Sequence, residues 1–154
     1  MRTNYLARIQ VNGTGLERIL DRPIVDKMGA SPDGAWVVVG PRGSDVVTTA
    51  VTLKDGSRRT ICFGPCWVNW SPNGAYLYVT SKLDVTSAGI TFVLPVRPDG
   101  LPDLPAGGIN TSSDQKAPGV RVIPRGSIAP SSDPKTYAFV KFDFVGNLFR
   151  IPLH

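Results

Sequence analysis

The residues whose type and spacing could most directly do chemistry are the only two cysteines, Cys62 and Cys66. Phe63-Gly64-Pro65 separates them, and Gly64-Pro65 can turn the chain so that the sulfurs reach bridging distance. A disulfide there would close a short loop and imply an oxidising compartment. The alternative is two reduced, partly buried cysteines at strand ends. A redox-active dithiol fits least, because its usual spacing is two residues at the start of a helix. The single histidine, His154, is the last residue. With no histidine near the cysteines, neither a zinc site nor a His-dependent nucleophile is expected, and no residue suggests a cofactor.

Binding chemistry is a second possibility. Trp67 and Trp70 lie beside the cysteine loop; exposed, they would make a platform for a peptide or sugar, and buried, they would fill a core. Arg58-Arg59 is the only adjacent cation pair in a chain of net charge +5. With neither a basic cluster nor a stacking aromatic array, nucleic-acid binding is not expected. Asp21, Asp26, Asp45, Asp84 and Asp114 are dispersed near turns and form no acid/base pair. No Gly-x-Ser-x-Gly elbow exists, since Gly126-Ser127 is not followed by the required glycine. No catalytic residue is nominated.

The elements that must position these groups are strands and turns. The 154 residues suffice for one ordinary domain, with 42% hydrophobic and 19% charged residues, and Gly 16 with Pro 14 favours short strands joined by tight turns over a helical bundle. Apolar runs such as Trp36 to Val39 and Ile90 to Val96 are far shorter than a membrane-spanning helix. The first residues carry no apolar signal core, so export would depend on a segment outside this sequence.

A repeat organises the chain. Gly29-Ala30-Ser31-Pro32-Asp33-Gly34-Ala35-Trp36-Val37-Val38-Val39 aligns with Asn69-Trp70-Ser71-Pro72-Asn73-Gly74-Ala75-Tyr76-Leu77-Tyr78-Val79 at a separation of 40 residues. Turn glycines Gly13, Gly56 and Gly100 follow a similar period, spaced 43 and 44 apart. Ser131-Ser132-Asp133-Pro134-Lys135 is a worn third copy without the glycine, and Asn147 to Ile151 echoes Asn4 to Ile9. In Ser-Pro-Asp-Gly, the proline presets φ, Asp tolerates the third position and the glycine closes the turn. Asp33 therefore reads as a turn residue rather than a catalytic carboxylate, the more so because the next copy has Asn73.

Strands are expected near 4–11, 16–20, 25–30, 35–40, 46–53, 58–62, 67–70, 75–81, 89–96, 108–110, 120–123, 127–129, 136–143 and 147–153. Tyr76, Tyr78, Phe92, Tyr137, Phe139, Phe142 and Phe144 alternate within them as packing residues. The units expected are a partial one over 1–22, complete ones over 23–64 and 65–110, and a partial one over 120–154. A Pro/Gly/Ser-rich loop, 101–119, would sit between units, of a length typical of functional or mobile loops.

The phased Ser31-Pro32-Asp33-Gly34 and Ser71-Pro72-Asn73-Gly74 turns, each entering an aromatic or aliphatic strand, resemble the WD-repeat-like β-propeller repeats of the TolB type over roughly residues 3–153. The resemblance implies an all-β fold, a partial propeller of about three to four antiparallel four-stranded blades. Such a count does not close a usual ring. It points to the C-terminal part of a longer propeller, a degenerate small one, or a half that pairs with a second copy. The Asn-Leu-Phe-Arg-Ile-Pro-Leu ending resembles chain ends in bacterial proteins where a propeller follows a serine/threonine kinase or DNA-binding domain, although no kinase motif occurs here. The implied function is non-catalytic binding of a protein or ligand, as sensor or scaffold of a signalling protein. The alternative is a propeller that gates or supports a hydrolase or peptidase domain outside this chain.

Overall fold

A computed structural model describes residues 4–25, 27–40, 47–81, 89–109, 119–126 and 128–139. Asp26, Asp45, Asp84, Asp114, Ser127, Phe142, Phe144, His154 and the strand expected at 147–153 lie outside them. The described residues contain twelve strands and no helix, hence none long and apolar enough to cross a membrane. The fold is all-β.

A first hairpin pairs β1 (Ala7–Arg8) with β2 (Glu17–Arg18). An antiparallel four-stranded meander follows: β3 (Lys27–Ala30), β4 (Trp36–Val39), β5 (Val47–Thr52) and β6 (Arg58–Phe63), paired in chain order. A second meander joins β7 (Cys66–Trp70), β8 (Tyr76–Ser81), β9 (Ile90–Pro95) and β10 (Arg121–Ile123). The last described pair is β11 (Ile128–Pro130) with β12 (Tyr137–Phe139). None of these sheets closes on itself.

Continuous apolar runs form strands here because both four-stranded sheets are covered on two faces. Trp36, Val38 and Ala50 face Val68, Trp70, Leu77, Val79, Phe92 and Leu94 across the main core. Their alternate neighbours Val37, Val39 and Val51 pack on Leu6, Leu20 and Ile24 of the N-terminal segment. On the far side of the second sheet, Tyr78 and Val93 pack on Ile123 and Ile128. The period-2 alternation of a strand thus assigns successive residues to opposite layers. Val38, Val51, Val68 and Leu77 are completely excluded from solvent, each contributing about 1.5–3 kcal/mol from burial.

The two large sheets touch most extensively along their first strands, β3 and β7. Gly29 on β3 makes this approach possible: a Cβ there would lie 2.5 Å from the carbonyl oxygen of Val68.

Two expectations are corrected. The fourth strand of the second sheet is 121–123, which pairs Arg121 with Val93, Val122 with Phe92 and Ile123 with Thr91; it is neither 108–110 nor the start of the last unit. Ile109 instead bonds the free edge of β6, donating its N–H to Ile61 O at 2.7 Å and accepting from Phe63 N–H at 3.3 Å. The connection after β9 consequently runs within a sheet, not between units. Its described part is structural, with Leu101 and Ile109 both buried in the main core. A short apolar segment can add to any exposed strand edge, so sequence pattern alone does not choose which. Among the aromatics expected to pack, Phe139 is 43% exposed, with the Arg125 guanidinium 4.3 Å above its ring.

Candidate functional site

The repeated tetrapeptides build the same local object twice. Ser31 N–H donates to Trp36 O, Gly34 N–H donates to Ser31 O, and Trp36 N–H donates to Ser31 Oγ, each at 2.9 Å. In the second copy Ser71, Gly74 and Tyr76 repeat these bonds at 2.8, 2.8 and 2.9 Å. Gly34 and Gly74 adopt φ of 71° and 72°, the left-handed values that an L side chain disfavours. Both serines also donate to the Oδ1 atom two residues on, in Asp33 and in Asn73. That oxygen accepts again from Ala35 N–H at 3.0 Å and from Ala75 N–H at 3.2 Å. The Ser31 hydroxyl, followed by the Ala35 amide, holds the Asp33 carboxyl below the usual carboxylate range. In the worn copy Lys135 N–H donates to Asp133 Oδ1 at 2.9 Å, so the Asp-to-backbone bond survives without the glycine.

The turns come together in space. Asn73 Nδ2 donates to Ser132 O of the third turn at 3.2 Å, while the pyrrolidine of Pro32 reaches toward Gly74. Between the first and second turns lies an open cleft of about 220 Å³, lined among others by Pro32, Asp33, Asn73, Gly74, Arg97 and Gly100. Its third side is the 97–100 turn, where Gly100 N–H donates to Arg97 O at 2.9 Å and Arg97 N–H to Leu101 O at 3.0 Å. Two buried tryptophans fix that turn: Trp36 Nε1 donates to Asp99 O at 2.8 Å, and Trp70 Nε1 to Gly100 O at 3.2 Å.

The residues nominated from sequence do not converge on one site. Trp70 is only 7% exposed, the buried of the two alternatives for it, and forms part of the cleft wall. Trp67 is 49% exposed on β7, one residue from Cys66. Arg58 and Arg59 are exposed on β6 opposite Val51 and Ala50, and neither lines the cleft. Cys62 and Cys66 are joined as a disulfide, their sulfurs 1.99 Å apart and both residues 3% exposed. Thr48 Oγ1 braces the loop by donating to Gly64 O at 2.9 Å and accepting from Cys66 N–H at 3.3 Å.

From sequence Asp33 and Asn73 read as turn residues alone, and Arg97 carries no signal that sets it apart. The exchange of Asp for Asn between otherwise matching turns was the available signal. No group of three metal-ligating side chains occurs among the described residues. Comparison with protein-family models, with curated proteins and with solved structures finds no match to this chain.

Proposed function

We propose that the chain is part of a TolB-like, WD-repeat-like β-propeller that binds a protein or small ligand without catalysis, as the sensor or scaffold portion of a larger bacterial signalling protein. The observation that carries this reading is the succession of two four-stranded meanders whose first strands, β3 and β7, lie against each other. Blades around a central axis have this relation. The phased turns at equivalent ends of the two meanders support it.

Binding is favoured over catalysis by what occupies the turn face. The serine hydroxyls there are committed to turn bonds. Asp33 is held ionised, which makes it a poor general acid and a weak base near neutral pH.

Light scattering with small-angle X-ray scattering on the purified chain tests the architecture. A folded β-rich particle of twice the 16.5 kDa chain mass with a ring-shaped profile is expected where two copies complete a ring. A folded, compact monomer overturns the incomplete-ring reading. Turnover of ester or peptide substrates by the purified chain overturns the non-catalytic reading.

A further inference from the structure

The side chains that the first and second turns present to the turn that follows, Asp33 and Asn73, differ by one atom type. In both Asp33 and Asn73, Oδ1 is consumed by the same serine and backbone donors. The remaining atom of Asn73 is Nδ2, which crosses to the third turn and donates to Ser132 O. The corresponding atom of Asp33 is Oδ2, an acceptor, which cannot bond the carbonyl of a following turn. At that junction the structure has the cleft instead of a closed contact.

We propose that this cleft is a binding site for a small zwitterion, its ammonium group against the Asp33 carboxylate and its carboxylate against the Arg97 guanidinium. The inference rests on the reading that the turn face is the binding face of a non-catalytic propeller segment. At the next junction the Asn73 amide is itself the N–H donor; Asp33 Oδ2 is an acceptor, so here the donor must come from the ligand, and an ammonium gives it as a charge-assisted bond, the stronger form of such a contact. Arg97 also lines the cleft, from its 97–100 side, and its ion pair with Asp103, at 3.5 Å, is largely solvated, which makes that pair weak. The guanidinium therefore keeps further N–H groups for a carboxylate. The volume of about 220 Å³ is below the roughly 300–1,000 Å³ of pockets for drug-sized ligands, which sets the ligand at the size of an amino acid or dipeptide. Trp70 and Pro32 supply the apolar wall.

Amide-resolved NMR titration of the full chain with alanine and with alanyl-alanine tests the assignment and separates the two sources of the same chemistry. Saturable shifts at residues 31–35, 73–74 and 97–101 are expected for at least one of them. N-acetylation or C-amidation of that ligand should weaken binding by at least about tenfold, as should Asp33→Asn and Arg97→Gln. Asp33→Asn installs the residue of the second copy, so the turn should persist. Equal binding of the N-acetylated ligand overturns the proposal, as does undiminished binding by either variant. If neither probe gives saturable shifts while the scattering profile remains that of a ring, the ligand assignment fails and the propeller reading stands.

Discussion

Trp36 on β4 and Asp99 in the turn after β9 are 63 residues apart in sequence and joined by a 2.8 Å hydrogen bond from the indole Nε1 to the backbone carbonyl oxygen. Trp70 does the same to the next carbonyl, Gly100 O. Two tryptophans from different sheets thus hold one turn, and the chain that leaves it carries Leu101 and Ile109 into the core between those sheets.

Gly100 is the weak point of that arrangement. Its φ of +87° is left-handed, and a Cβ would lie 2.8 Å from Trp36 Cδ1. Gly100→Ala should destabilise the chain by at least about 2 kcal/mol, read as a lower urea midpoint. An unchanged midpoint would mean that the turn can shift away from Trp36 at no cost.

The Cys62–Cys66 bridge closes a loop of only five residues at the junction between the sheets. Chain entropy for so short a loop gives about 2 kcal/mol. Urea unfolding should therefore shift to lower denaturant in the presence of a thiol reductant. Coincident curves with and without reductant would show that the bridge adds nothing to stability.

Tyr78 is 1% exposed, and its hydroxyl has no hydrogen-bond partner among the described residues. Burial also pushes its ionisation upward. A buried hydroxyl left unpaired costs about 1–3 kcal/mol. Tyr78→Phe is therefore expected to leave the urea midpoint unchanged or raise it. A fall in the midpoint would identify a hydrogen bond made in solution.

Asp55 closes the β5–β6 turn, accepting from Thr52 Oγ1 and, at 2.9 Å, from Ser57 N–H. These bonds, the Thr52 hydroxyl first, lower its pKa from 3.8 to about 2. Because the folded value is the lower one, the ionised turn adds stability above the unfolded pKa and loses it as pH falls toward the folded one. A carboxyl ¹³C titration should give a midpoint near 2 for Asp55. A midpoint at 3.8 or above would show that the turn bonds do not persist in solution.

Much of the fold was legible because its signals are local. Ser31, Asp33 and Gly34 set the turn through bonds that span at most five residues, so the tetrapeptide carries its own conformation wherever it occurs. The short continuous apolar runs Trp36 to Val39 and Leu77 to Val79 likewise announce strands, although only the sheet neighbours show that both faces are buried. The cleft was less legible. Asp33 looks like a turn residue in either copy, and its spare oxygen acquires meaning only when the Asn73 Nδ2 contact with Ser132 is seen beside it.

By itself the sequence determined the turn chemistry, the all-β class and the period that spaces the turns, since each follows from backbone preferences over a few neighbouring residues. Only the tertiary structure decided that Trp70 faces inward, that Ile109 joins β6 and that 121–123 completes the second sheet. Those choices are made by partners tens of residues away, and a short apolar segment has the same pattern whichever open edge or core it finally meets.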